Sequence, residues 1–156
     1  MSCSAFRLPQ DWGDATLMSR TRRRCSRPAE LAPPPARAYD HTGMMLLWSP
    51  GASGRGARGF ACDLEHVTRF AGSADPSFLG PAFRIENWVA TEVVAKLTGV
   101  PVLALLKSGG GVTASPRRLQ ELNLRPYGGS GRARIWITPS DDGLRVAAFG
   151  ILHDTA

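Results

Sequence analysis

Proline is concentrated before residue 85 of this chain, where it limits the regular structure that can form. The 156 residues include 17 glycines and 12 prolines, and eight of the prolines precede residue 85. Two stretches, "SRTRRRCSRPAELAPPPAR" (19–37) and "SPGASGRGARG" (49–59), also have few apolar side chains to bury against the entropy cost of ordering. We therefore expect residues 1–59 to be flexible or poorly ordered, residues 60–85 to hold a short helix and a linker, and residues 86–156 to form the folded domain.

The net charge and the cysteines indicate the kind of partner and the cellular compartment, but they do not identify a function. The chain carries 19 basic and 13 acidic residues, and all but two of the basic residues are arginines, which favours anionic partners. Three cysteines without a Cys-x-x-Cys pair are typical of a reducing compartment. The amino terminus lacks the apolar core of a signal peptide, and the longest apolar runs are too short to span a bilayer. We expect a cytoplasmic protein that does not associate with membranes.

The segment "FACDLEHVTRFAG" (60–72) has apolar residues at helical spacing. This spacing predicts one amphipathic helix. Cys62 and His66 would lie one turn apart on that helix, but no second pair of ligands follows at the spacing of a metal site. The sequence therefore predicts no bound metal and no cofactor.

The segment "ENWVATEVVAKLTG" (86–99) predicts an amphipathic helix that ends at Gly99. The next segment, "VPVLALLKS" (100–108), has two interpretations. Pro101 suits the first turn of a second helix, whereas the apolar run before "SGGG" is also typical of a buried strand that leads into a loop. The glycines that follow lack the spacing of a nucleotide-binding loop.

The carboxyl end, residues 138–153, also allows two structures. Thr138 and Asp141 form a capping box that predicts a helix, and the apolar residues after it repeat at helical spacing. Alternatively, the dipeptide Asp142-Gly143 lies between two apolar segments and is typical of a β-hairpin. We expect the helix and keep the hairpin as the alternative.

Several of these motifs together resemble the amino-terminal DNA-binding domain of MerR-type transcriptional regulators. The resemblance covers about residues 88–155 and depends on the turn Thr98-Gly99-Val100, the segment Pro116-Arg117-Arg118, and the basic segment around Arg132 and Arg134. It implies a mainly α fold, a winged helix-turn-helix domain preceded by a flexible amino-terminal region rich in proline, glycine and arginine. It also implies a transcriptional regulator or related factor that contacts double-stranded DNA and is compatible with a homodimer. The residues expected to contact DNA are Lys107, Arg117, Arg118, Arg132 and Arg134.

Two other functions remain open at this point. The arginines could form the solvated basic face of a small protein-interaction module. If residues 138–153 form a hairpin, the carboxyl end resembles toxins of the RelE and ParE type, which end in an arginine-bearing strand and a terminal strand near a histidine, here His153. None of His41, His66 and His153 lies in a recognisable catalytic pattern, so we expect no enzymatic activity.

Overall fold

The computed structural model describes residues 5–19, 35–70, 84–108 and 111–155. Within these ranges the chain forms seven strands and two helices, with short 3₁₀ turns at Gly51–Gly54 and Arg125–Tyr127. The strands are β1 (Asp14–Ser19), β2 (Ala36–Tyr39), β3 (Met44–Ser49), β4 (Gly59–His66), β5 (Gln120–Asn123), β6 (Arg132–Pro139) and β7 (Arg145–His153). The helices are α1 (Ile85–Thr98) and α2 (Val102–Lys107).

The strands form two antiparallel sheets. The three-stranded sheet has the order β1-β3-β2, and the four-stranded sheet has the order β4-β7-β6-β5. The expectation of a mainly α winged helix-turn-helix domain is therefore wrong, because most of the regular structure in the described ranges is β-sheet. The physical reason is that pairing between distant strands outweighs the local helical periodicity of several segments.

Helix α1 covers one face of the four-stranded sheet. Val89, Val93 and Val94 on this helix are fully buried in a core that also contains Ile135 and Ile137 of strand β6. The helix ends as the sequence predicts, because Gly99 adopts the left-handed conformation that a residue with a Cβ would resist.

The three-stranded sheet packs on the opposite face of the four-stranded sheet. Trp48 and Leu46 from the smaller sheet share a second core with Phe149 and Ile151 of strand β7. Strand β7 is therefore the central strand of a three-layer arrangement of sheet, sheet and helix, and all of its residues except the last are buried.

Two further predicted helices are strands. Residues 59–66 form strand β4, which pairs with β7, so the amphipathic helix predicted over residues 60–72 is wrong. Residues 132–139 and 145–153 form a hairpin whose turn contains Asp142 and Gly143, so the alternative interpretation of residues 138–153 is correct and the predicted helix is wrong. For residues 100–108 the helical interpretation is confirmed by α2.

The amino-terminal region contains regular structure where the sequence predicted little. Strands β1, β2 and β3 all lie within residues 1–59, and the glycine-rich segment 49–59 includes a 3₁₀ turn that precedes strand β4. Residues 20–34, which hold the arginine cluster and most of the proline run, lie outside the described residues.

Candidate functional site

Four charged or titratable side chains share one face of the four-stranded sheet. In the strand register, Glu121 lies opposite Arg134, and Arg132 lies opposite His153. Because side chains alternate between the two faces of a strand, Arg132 and Arg134 point to the same face, and their cross-strand partners do so too. This is the face on which the smaller sheet packs, since Arg134 also pairs with Ile151 of the second core.

The smaller sheet leaves the outer part of this face open. Its closest backbone approach is to strand β4, at the far edge from strand β5. Glu121 and Arg132 are exposed, whereas Arg134 and His153 are half-buried. Together with Asp154 and Thr155 these four residues line an open cleft of about 420 Å³, which we call the arginine cleft.

Arg134 is held in a defined position at one wall of the arginine cleft. One of its terminal nitrogens donates to the carbonyl oxygen of Ser53 at 3.2 Å, and the guanidinium carbon lies 5.7 Å from the ring centre of Trp12. Trp12 is itself buried and stacks on Trp48 of the core. The amino-terminal segment and the glycine-rich turn thus fix the guanidinium, which reduces the entropy lost when it binds an anion.

His153 contacts the same guanidinium group. A terminal nitrogen of Arg134 lies 3.3 Å from Nε2 of His153. Because arginine has only donors, this contact is a hydrogen bond only in the tautomer in which Nε2 accepts. In that tautomer the lone pair of Nε2 is directed toward the group that would hold an anion in the cleft.

Glu121 and Arg132 form an ion pair at the opposite side of the arginine cleft. The distance between Arg132 Nη1 and Glu121 Oε1 is 2.6 Å, and both side chains are more than half exposed. Exposed pairs of this kind contribute little to stability, so an anionic ligand can compete for Arg132 at small cost.

The rim of the arginine cleft adds one more positive group. Arg58 donates to Asp154 at 2.8 Å and to the carbonyl oxygen of Ser130 at 2.7 Å. The cleft and its rim therefore hold three arginines against two carboxylates, and both carboxylates are already paired with an arginine. The local charge balance is positive and suits an anionic ligand.

The residues predicted to contact DNA are only partly brought together. Arg132 and Arg134 lie side by side in the arginine cleft, but Lys107, Arg117 and Arg118 are not among the residues that line it. Lys107 is exposed at the end of α2, a helix whose only fully buried residue is Leu105. Arg117 and Arg118 are exposed in the loop before strand β5. The turn at Gly99 and the short helix α2 that the MerR resemblance implies are present, but the segment with Arg132 and Arg134 is strand β6 inside a four-stranded sheet.

The sequence pattern gave no role to Glu121, Trp12 or Ser53, and it mentioned His153 only through the toxin resemblance. Glu121 and Arg134 are 13 positions apart in the chain, and Ser53 and Arg134 are 81 apart, so only the strand register and the sheet packing bring them together. One local signal was available: the alternation in "RARIWI" places both arginines on one face if the segment is a strand.

The pair Cys62 and His66 shows no feature of a metal site. Burial raises the pKa of the Cys62 thiol to about 12, although Lys96 opposes this shift. His66 uses Nδ1 in a contact of 2.8 Å with the hydroxyl of Thr68. Across the residues that the structure describes, no group of three or more histidine, cysteine or acidic side chains is arranged to hold a metal ion.

Neither helix in the described ranges has the length and apolar composition needed to cross a bilayer. Comparison with protein-family models, with curated proteins and with solved structures finds no match to this chain.

Proposed function

We propose that the chain is a nucleic-acid-binding protein that holds the phosphodiester backbone of a single strand in the arginine cleft. The observation that carries this proposal is the fixed guanidinium of Arg134, which lies beside Arg132 in an open cleft with His153 at its other side. Guanidinium groups match the geometry of phosphate oxygens, and a pre-positioned pair can contact one phosphate or two successive ones.

An aromatic side chain lies next to these arginines on the same face of strand β6. Trp136 is two residues beyond Arg134 and half-buried, and its indole nitrogen donates to the carbonyl oxygen of Arg7 at 3.0 Å. A positive groove with an adjacent aromatic ring is the arrangement by which many proteins bind single-stranded nucleic acid, because a base can stack on the ring while the backbone follows the charges. Trp136, however, packs against the second core and is not among the residues that line the arginine cleft, so a base could stack only on the part of its ring that stays exposed.

The dimensions of the cleft favour a single strand over a duplex. A volume of about 420 Å³ is in the range of pockets that enclose a small ligand, and it suits one phosphate with its neighbouring nucleosides. The sequence predicted duplex DNA as the ligand through a helix-turn-helix. The observed fold is mainly β-sheet, and duplex DNA is kept as the competing ligand in the test.

Fluorescence anisotropy with labelled 2′-O-methyl RNA, single-stranded DNA and duplex DNA at several salt concentrations tests the proposal. For a single strand, each neutralised phosphate adds about 0.7 to the slope of log affinity against log salt. Replacing Arg132 and Arg134 together by alanine should reduce that slope by about 1.4 and weaken binding to all single strands.

The matched control is the double variant Arg37→Ala/Arg118→Ala. It removes the same charge from exposed positions on strand β2 and in the loop before strand β5. We expect this control to retain the wild-type slope within about 0.7. An equal loss in both double variants would indicate non-specific attraction, and preference for duplex DNA would contradict the assignment of a single-strand cleft.

A further inference from the structure

We propose that Glu121 recognises a base of the bound strand and gives the arginine cleft a preference for guanine. This inference rests on the proposed function, because it requires that a phosphate of a single strand lie on Arg132 and Arg134 in the cleft. It deepens that function by naming the class of ligand, which is a single strand that places a guanine at the cleft.

A carboxylate in a phosphate-binding cleft needs a donor from the ligand. Glu121 lines the arginine cleft, lies opposite Arg134 in the strand register, and places its Oε1 atom 2.6 Å from Nη1 of Arg132. An ionised carboxylate has only acceptors, and it repels the phosphate groups of a nucleic acid. In single-stranded DNA the donors are the N–H groups of the bases, so a base is the part of the ligand that Glu121 can hold.

Binding of a phosphate releases Glu121 from its ion pair. Arg132 lines the cleft together with Arg134, so its guanidinium group is attracted to the phosphate and the carboxylate loses its partner. Both side chains of the pair are more than half exposed, so this exchange costs little free energy. The released carboxylate then offers two oxygens to the nucleoside that is attached to the phosphate.

The open side of the sheet directs the base toward Glu121. On the other side, the carbonyl oxygen of Ser53 lies 3.2 Å from Arg134 and the smaller sheet approaches strand β4, so protein already fills that side of the cleft. Strand β5 is the outer strand of the four-stranded sheet in the described ranges, about 4.8 Å beyond the strand that carries the two arginines. A base therefore extends from the phosphate over strand β5, where the side chain of Glu121 is 55% exposed.

Guanine is the base whose donors match a free carboxylate. Its N1–H and N2–H groups are adjacent on the Watson–Crick edge, so they can contact both carboxylate oxygens at once. Adenine, cytosine and thymine each have an acceptor next to the donor on this edge, and that acceptor would repel the second oxygen. Bidentate contacts to an ionised group are stronger than single hydrogen bonds between neutral groups, so they can discriminate among bases.

The second carboxylate of the arginine cleft keeps its partner when a phosphate binds. Asp154 also lines the cleft, but it pairs at 2.8 Å with Arg58, which lies on the rim. Arg58 is held further by the hydroxyl and the carbonyl oxygen of Ser130, at 3.1 and 2.7 Å. A phosphate on Arg132 and Arg134 leaves this pair intact, so Glu121 is the carboxylate that becomes available to a base.

Fluorescence anisotropy with short labelled oligothymidylates that carry one central test base measures this preference. We expect the full chain to bind the guanine oligonucleotide at least about five-fold more tightly than those with adenine, cytosine or thymine, which is the lower end of what a bidentate contact to a base provides. Hypoxanthine, which keeps the N1–H group but lacks the N2 amino group, should give an intermediate affinity. The probes are DNA, so that no ribose 2′-hydroxyl can donate to the carboxylate.

Three variants identify the residue that is responsible. Glu121→Gln should no longer bind guanine more tightly than adenine, because an amide presents one acceptor beside a donor. Its affinity for the all-thymine oligonucleotide should be unchanged or higher, since Arg132 is released. Asp154→Asn should keep the preference for guanine, although the loss of a negative charge raises its affinity for every oligonucleotide. Asp141→Asn, which removes an exposed carboxylate paired with Arg7 outside the cleft, is the control and should match wild type in affinity and preference.

The outcomes distinguish this inference from the proposed function. Equal affinity of the wild-type chain for all test bases would overturn the preference for guanine and leave single-strand binding in place. A preference that survives in Glu121→Gln, or that disappears in Asp154→Asn, in variants whose thermal unfolding matches wild type, would show that Glu121 is not the residue that recognises the base. Absence of binding to every oligonucleotide would overturn both proposals.

Discussion

Asp63 is a buried carboxyl whose protonation links folding to pH. It lies on strand β4, its side chain is 11% exposed, and Lys96 Nζ is 3.0 Å from its Oδ1. Burial raises the pKa of Asp63 from 3.8 to about 7, although the Lys96 ammonium opposes this shift. Between these two pH values the folded protein therefore holds a proton that the unfolded chain releases.

The sign of the pH effect follows from this difference. Where the folded state binds more protons, the free energy of unfolding falls as pH rises. Asp63 should therefore lower stability progressively from about pH 4 to about pH 7 and add no further change above that range, by up to about 4 kcal/mol in total. Asp63→Asn should remove this contribution, which urea unfolding at pH 5 and pH 7.5 would measure. Asp14→Asn, which removes an exposed carboxylate, controls for net charge. Equal pH dependence in wild type and Asp63→Asn would contradict the prediction.

The local structure at a chain reversal was predicted correctly only where the residue there fits a single conformation. Gly99 ends α1 in the left-handed conformation, as the sequence predicts. In "TPSDDG" the short polar side chains suit either a helix cap or a turn, because both place a side-chain oxygen near a following amide. In the structure Asp142 accepts from the Ser140 hydroxyl and the Leu144 amide, which is a turn. Local chemistry could not distinguish these two outcomes.

Elements buried on both faces were the ones that the sequence pattern misassigned. Strand β7 packs against helix α1 on one side and the smaller sheet on the other, so it has no need of alternating polar residues. Its apolar residues also happen to fit helical spacing, and strand β4 shows the same ambiguity over residues 59–66. Helix α1 was predicted as a helix because its apolar spacing does not also fit a strand. Arg132 and Arg134 were identified, but their partners on neighbouring strands depend on the register.

The packing of α1 on strand β7 depends on Gly150. A Cβ at this position would lie 2.5 Å from Val93 Cγ1 and 2.9 Å from Ile135 Cδ1, closer than real Cβ contacts. Gly150→Ala should therefore force α1 away from the sheet and lower the free energy of unfolding by about 1–3 kcal/mol, measured by urea unfolding. Gly59→Ala is the matched control, because Gly59 also lies in a strand and a Cβ there meets nothing within 4 Å. A loss in the control as large as that in Gly150→Ala would show that a general effect of adding a methyl group to a strand, not the approach of the helix, is responsible.

At the scale of the whole molecule, the amino-terminal region supports the arginine cleft by positioning Arg134. Ser53 and Trp12, which position Arg134, belong to the region where the sequence predicted little order. Strand β3 is strongly apolar, but the segments around it are rich in proline, glycine and arginine, and the small sheet becomes stable only when Trp48 and Leu46 are buried against the larger sheet. Such long-range burial is not visible in a local pattern, so the position of the cleft could not be predicted from the sequence.

One buried ion pair joins the two sheets. Arg145 at the start of strand β7 donates from Nε to Asp40 Oδ2 at 2.6 Å, and Asp40 lies in the turn between strands β2 and β3. The side chain of Asp40 is fully buried and that of Arg145 is 11% exposed. Burial opposes ionisation of Asp40, but hydrogen bonds from Thr42, Arg145 and the Met44 amide together hold the pKa of its carboxyl below 3.8. The pair therefore stabilises the fold at neutral pH, and its contribution is lost only as pH falls below about 4.

A double-mutant cycle on this pair should measure how strongly it couples the two sheets. Asp40→Asn and Arg145→Met should each cost about 3–5 kcal/mol at pH 7, because each leaves a buried partner without its counter-charge. The double variant should cost clearly less than the sum, since it removes both charges from the interior. The exposed pair Arg58 and Asp154, with an N···O distance of 2.8 Å, is the matched comparison, and its cycle should give less than about 1 kcal/mol of coupling. Additivity within about 0.5 kcal/mol at Asp40 and Arg145 would mean that apolar burial alone holds the sheets together. In that case Ser53 and Trp12 would keep their contacts with Arg134 without the ion pair, and Arg145→Met would leave nucleic-acid affinity unchanged.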